Sequence, residues 1–202
     1  MTRLSAFIRD QRGASAAEFG LVLPLLLLVV FGTIDVGRYV WNLSQAQKAT
    51  QIGARWAVAT DMIPTDLYNY SFATSCSIPQ GTPVSAAAFP GMICNSGGCS
   101  AVAGGSCTIG TASNTAAFNR LVARMAEIYP GLTAANVQVT YAWSGLGFSG
   151  DPNGADVAPL VTVNLRNLQF VPASSFVFRT SITLPSFAYS LPMEDGSGDI
   201  SN

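Results

Sequence analysis

The chain has 202 residues, a formal net charge of −1, 49% hydrophobic residues and only 10% charged ones. Average soluble domains are about one quarter charged, so a chain this poor in charge calls for a membrane segment, a surface covered by partners, or both. The near-neutral balance argues against an electrostatic nucleic-acid binder. A histidine count of 0 excludes Ser-His-Asp and Cys-His catalysis and imidazole metal ligands.

In chain order, the first element is a basic leader, residues 1–13, with Arg3, Arg9 and Arg12. An apolar run over residues 13–34 follows, in which Glu18 is the only charged side chain. A helix over that run reaches about 33 Å, enough for a hydrocarbon core of about 30 Å. The stretch "LVLPLLLLVVFGTI" is apolar all round, which fits a span better than a helix with one docking face. Pro24 would disturb a soluble helix but is tolerated in a membrane. A cleaved secretory signal has a shorter apolar core followed by a small-x-small site. Here "DVGRYVW" follows, so the segment is expected to remain in the mature chain. The cations are balanced, with Arg3, Arg9 and Arg12 before the span and Arg38, Lys48 and Arg55 after it. They do not set the orientation. The cysteines further along favour a cytoplasmic N-terminus and an extracytoplasmic C-terminal domain.

A carboxylate within a span costs on the order of 3 kcal/mol and usually has a partner. A cut after Gly13 would place the new Ala14 ammonium four residues from Glu18, about 6 Å along the helix axis. The two charges could then neutralise each other within one chain or between staggered neighbours. A position for Glu18 at the membrane edge, reaching headgroups, is the other reading.

The stretch "RGASAAEFGLVLP" resembles the processing site of type IV prepilins, in which a membrane aspartyl peptidase cuts after the glycine and the fifth mature residue is glutamate. Residues 12–60 more closely resemble the TadE-like minor pseudopilins of tight-adherence (Tad) pili, through the combined E-F-x-L-V-L-P, acidic-x-G-R and G-A-R elements. The acidic residue before "VGR", commonly glutamate in that family, is here Asp35. The resemblance implies processing between Gly13 and Ala14 by a prepilin peptidase and an assembly role for Glu18. It also implies other pilin or pseudopilin subunits and the pilus assembly machinery as partners. The implied setting is the inner membrane as a single pass, with entry into an extracellular pilus as a further expectation and no cofactor.

Beyond residue 34 the helix is expected to continue to about residue 60, giving a transmembrane part, 14–34, and an extracytoplasmic half, 35–60. Leu43, Ala46, Ala49, Gly53 and Trp56 recur at helical spacing as one apolar face, with Gln45, Lys48 and Gln51 off it. Residues 61–202 form the expected extracytoplasmic α+β domain. Within it, residues 71–113 read as a loop rich in Ser, Gly, Ala and Thr that holds Cys76, Cys94, Cys99 and Cys107. An even, clustered set outside the cytosol reads as two disulfides with three possible connectivities. The nested set, Cys94 with Cys99 and Cys76 with Cys107, is preferred. A four-thiolate zinc site and free thiols are the alternatives.

Asn114 reads as the N-cap of a helix carrying Phe118, Leu121, Val122, Met125, Ile128 and Tyr129, ended by "PGLT". Alternation in Val137–Trp143 and Val161–Leu165 predicts strands, and "SSFVFRTSITLP" a third β-rich run. An antiparallel sheet against a long hydrophobic helix is the resulting α+β, pilin-like architecture.

Chemistry is sparse. Asp151, Asn153 and Asp156 in "GDPNGAD" could offer oxygen ligands to calcium, but Asp-Pro-Asn-Gly is a strong turn sequence and no glutamate closes a calcium loop. Asn42 and Asn69 begin N-x-[ST] triplets, and "EDGSGD" reads as an acidic tail. Asp61 and Asp66 lack a base partner, and no phosphate loop, nucleophile elbow or dinucleotide fingerprint occurs, so an enzyme is not expected. Two functions remain: a structural subunit or assembly primer of a pilus, and a signal-anchored binding or adhesion protein that never enters a filament.

Overall fold

The computed structural model describes residues 14–194 and 196–197. The leader, with Gly13, lies outside them, as do residues 195, 198 and 199 of the acidic tail. Helix α1, Ala14–Val58, is one uninterrupted element of 45 residues that passes through Pro24. At 1.5 Å per residue it is about 68 Å long. Its first part leaves large apolar side chains exposed, from 41% at Leu27 to 79% at Leu21. Among the described residues it is the one helix long and apolar enough to cross a membrane.

The chain divides into two compact units. One combines the described part of Met1–Trp41 with Phe170–Ile182; the other combines Asn42–Gln169 with the described part of Thr183–Asn202.

In the second unit the continuing helix buries Ala46, Ala49, Thr50, Ala54, Ala57 and Val58. Leu43 and Trp56 of the expected face are half-buried, while Lys48 and Gln51 are exposed. Gly53 is buried on the same side, where an added Cβ would lie 2.5 Å from Met125 Sδ. The face is thus made of residues small enough to admit another element closely. Two short helices, α2 (Thr65–Tyr68) and α3 (Phe72–Ser75), come next. The hairpin β1 (Gly91–Asn95) and β2 (Gly98–Ala101) follows. Helix α4, Thr115–Ala126, starts as expected at Asn114, whose side-chain oxygen accepts the Ala117 N–H at 2.9 Å. That bond satisfies one of the four amides a helix start leaves free.

The strands β3 (Val137–Ala142), β4 (Leu160–Leu165) and β7 (Phe187–Pro192) complete a five-stranded sheet in the order β2-β1-β3-β4-β7, antiparallel throughout. Between β4 and β7 lie the short strands β5 (Gln169–Phe170) and β6 (Ile182–Thr183), which form a separate two-stranded ribbon, and the helical turn α5 (Ser175–Phe178). The register sets Tyr141 opposite both Met92 and Val161, and Val139 opposite both Cys94 and Val163. All six are buried on one face. On the other face Thr140, Thr162 and Ser190 are adjacent, with the hydroxyls of Thr162 and Ser190 2.8 Å apart. This period of two is what a sheet with one dry face requires. Phe118, Leu121 and Met125 of α4 are buried as well, and Met125 lies against Gly53 of α1. Tyr141, at 0% exposure, accepts the Ile63 N–H on its hydroxyl oxygen at 3.2 Å. Burial pushes its phenol pKa up.

Two expectations need correction. Residues 71–113 are not a structureless loop: they hold α3 and the β1–β2 hairpin, because β1 gains a ladder with β3 although the segment around it is rich in Gly and Ser. Gly91 is needed there, with φ +140° and a carbonyl oxygen of Tyr141 only 2.7 Å from any added Cβ. The run 174–185 adds no strand to the five-stranded sheet: it forms the turn α5 and the two-residue β6 of the separate ribbon. The further sheet strand is β7, from Phe187 onward.

Candidate functional site

Glu18 lies on the first part of α1 with its side chain exposed among apolar neighbours. Among the described residues it has no ion-pair partner. Ala14 begins the helix four residues earlier, so the two positions share a face. Gly13 is outside the described residues. This stretch is chemically simple: one carboxylate on an apolar rod, with the backbone amides of the first turn close by.

The second charged position of α1 is Asp35, the first residue beyond the expected span. It is 8% exposed. Its two carboxylate oxygens accept the backbone N–H groups of Ala173, at 2.5 Å, and Ser174, at 2.9 Å. Arg38 Nη1 stands 3.5 Å from the same carboxylate. Bonding from the Ser174 side chain, then the Ser174 and Ala173 amides and the Arg38 charge, holds the Asp35 carboxyl below the usual aspartate range, against the opposing pull of its burial. Nearby, Phe170 meets Tyr39 edge-on with ring centroids 5.5 Å apart, and the Arg38 guanidinium lies 5.6 Å from the Phe170 ring centre. Asp35, Tyr39, Phe170 and Ser174 border an apolar cleft of about 270 Å³ between α1 and the 170–182 segment. Sequence reading missed this clasp, since its partners are separated by 138 and 139 positions. The one local signal was an acidic residue placed just beyond an apolar run.

The four cysteines are paired as Cys76–Cys107 and Cys94–Cys99, the nested arrangement. Cys94 and Cys99 are direct cross-strand partners in the β1–β2 hairpin, with Cα atoms 4.0 Å apart. Cys76 follows α3 and joins the loop before α4, closing 31 positions.

The calcium candidates are brought together but are already occupied by backbone. Asp156, 4% exposed, accepts the Phe72 N–H at 2.7 Å with one oxygen and the Asp151 N–H at 3.0 Å with the other. Asp151 accepts the Asn153 N–H at 2.9 Å, the Asx form of a tight turn. Asp156 thereby pins this turn to the start of α3. Among the described residues no group of three or more His, Cys, Asp or Glu is arranged to hold a metal. Asp61 pairs with Arg120 at 2.6 Å and Asp66 accepts the Ala112 N–H at 2.8 Å, so the two form no catalytic pair with each other.

A search of curated proteins and one of solved structures each found no match. Residues 13–55, the stretch that carries Glu18 and Asp35, match the family model described as TadE-like protein.

Proposed function

We propose that this chain is a minor pilin-like subunit of a Tad-type pilus, cut after Gly13 by a prepilin peptidase and either built into the filament or used to prime its assembly. The observation that carries the reading is the family match over residues 13–55, laid on a helix whose apolar side chains are exposed around a lone Glu18. The division follows from it: a leader over 1–13, a span over 14–34, an extracytoplasmic helical half over 35–60 and an extracytoplasmic domain over 61–202. The N-terminus is cytoplasmic, and two disulfides fit an oxidising compartment for the domain. Its role is structural rather than enzymatic. Glu18 receives the ammonium of a processed Ala14, mainly from a neighbouring subunit, because a carboxylate in lipid needs a partner.

Mass spectrometry of the membrane-extracted protein, from cells expressing the peptidase, tests the first step. A mature chain starting at Ala14 is expected, and Gly13→Leu should retain the longer form. A wild-type chain that keeps residues 1–13 overturns the reading and favours an unprocessed, signal-anchored adhesion or binding protein.

A further inference from the structure

We propose that the turn α5 seats Phe176 in the headgroup–acyl boundary of the same bilayer that α1 crosses, so that the protein touches the membrane through a second, non-spanning contact. The proposal rests on reading α1 as a span. Its geometry comes from the order of contacts along the helix. Phe170 rests on Tyr39, and Ala173 and Ser174 are bound by Asp35. From 170 to 174 the segment therefore runs back along α1 from position 39 to position 35, about 6 Å toward the apolar run. The next residues are Ser175–Phe178. The chain thus delivers this turn to the level where the charge-poor stretch of α1 begins.

What the turn presents there is apolar. Phe176 is 93% exposed, the highest value among the large exposed hydrophobic side chains. Val171 and Ile182 of the same segment are also exposed, as are Val36, Val40 and Trp41 on α1. A single exposed apolar residue would need no explanation. These, however, continue the exposed apolar surface of the span itself, and that continuity identifies the occupant as lipid. Phe, with Trp and Leu, makes up the apolar face of segments that lie in the headgroup–acyl boundary. Arg179, exposed one residue past the turn, is a side chain suited to lipid phosphate. Asp35 is the positioning residue: its carboxylate fixes the backbone just before the turn.

The test places the full chain in nanodiscs whose lipids carry bromine at shallow or deep acyl positions, with Trp41→Phe, Trp56→Phe and Trp143→Phe together as the tryptophan-free background. Phe176→Trp should emit to the blue of a solvent-exposed indole and be quenched by shallow bromine, with little effect from aqueous iodide. Adding Asp35→Ala should remove most of the shallow quenching. Leu27→Trp serves as the reporter of the span and should be quenched by deep bromine. If Leu27→Trp is quenched but Phe176→Trp responds only to iodide, the proposal is overturned and the span stands. If neither responds to brominated lipid, the spanning reading fails and takes the proposal with it. A blue shift at Phe176→Trp that grows with protein density, without quenching by bromine, means that a second copy covers the turn, and also overturns it.

Discussion

Along α1 two stretches with the same backbone treat their side chains in opposite ways. Before Asp35 the residues are bulky, mostly Leu, Val and Phe, and stand exposed. After Trp41 the buried positions are Ala46, Ala49, Thr50, Gly53, Ala54, Ala57 and, at the helix end, Val58, most of them small. Lipid is a fluid that moulds itself to any apolar shape, so size is unconstrained and large side chains maximise contact. A protein core is close-packed. There the helix needs a smooth flank, and Met125 fills the space that a side chain at Gly53 would take. Hydrophobicity separates both stretches from water, while residue size separates lipid-facing from protein-facing surface.

The largest expected effect breaks the comparison at its one charged point. Glu18→Ala should insert, fold and be processed, yet be nearly absent from sheared-pilus fractions on immunoblots. Glu18→Asp should be intermediate. Entry of Glu18→Ala at wild-type level would remove the pairing role and return Glu18 to an edge residue facing headgroups.

The second experiment compares equal truncations in the two surroundings. Leu121→Ala, in the core at 2% exposure, should lower the stability of the sheet-containing unit by about 2–5 kcal/mol. Leu27→Ala should leave that stability unchanged. Urea unfolding in detergent, followed by near-ultraviolet circular dichroism, reads both. Equal losses would mean that the two faces share one environment.

The disulfides sharpen the contrast, because the sheet-containing unit has them and the span has none. Chain-entropy reasoning gives about 3.7 kcal/mol for the 31-position Cys76–Cys107 closure and about 2 kcal/mol for the 5-position Cys94–Cys99 closure. Paired serine substitutions should destabilise in that order in the same unfolding assay, with insertion into the membrane unaffected.

The smallest effect concerns Asp35, where the two surroundings meet. Its carboxyl is held below the ordinary aspartate value of about 3.9. With the folded-state pKa lowered, the stabilisation is present above that ordinary value and is lost as pH falls through the lower one. Protection of the 170–182 segment from an acid-active protease should therefore decline only in strong acid. Asp35→Asn should remove the pH dependence.

Much of this architecture is legible in the sequence, where local pattern and environment agree. The helix to about residue 60, the Asn114 cap and the alternation of Val137–Tyr141 all follow short-range rules. The hairpin at Gly91–Ala101 was hidden because Gly, Ser and Cys carry little strand preference, and its pairing partner β3 lies some 45 positions away. The strand-like run "SSFVFRTSITLP" misled for the opposite reason: its composition suits a strand, but Asp35 fixes the backbone at its start outside the sheet. Strand β7 was obscured by Pro185 before it and Pro192 at its end. At the candidate site, Glu18 was readable because a charge in an apolar run stands out. The Asp35 clasp was not, since no local pattern names a partner so distant.

The cross-strand position of Cys94 and Cys99 has a consequence for the order in which the chain acquires its bonds. Four thiols can pair in three ways, and the chain must choose among them as it is oxidised. Loop closure alone favours the 5-position Cys94–Cys99 pair over its nearest rival, Cys99 with Cys107, by only about 0.4 kcal/mol, roughly twofold, so the cross-strand hairpin supplies most of the selection. Once the hairpin has brought Cys94 to Cys99, Cys76 and Cys107 have no partner but each other. Two non-native isomers are thereby removed by a local event, before the sheet is assembled and without an isomerase having to correct them.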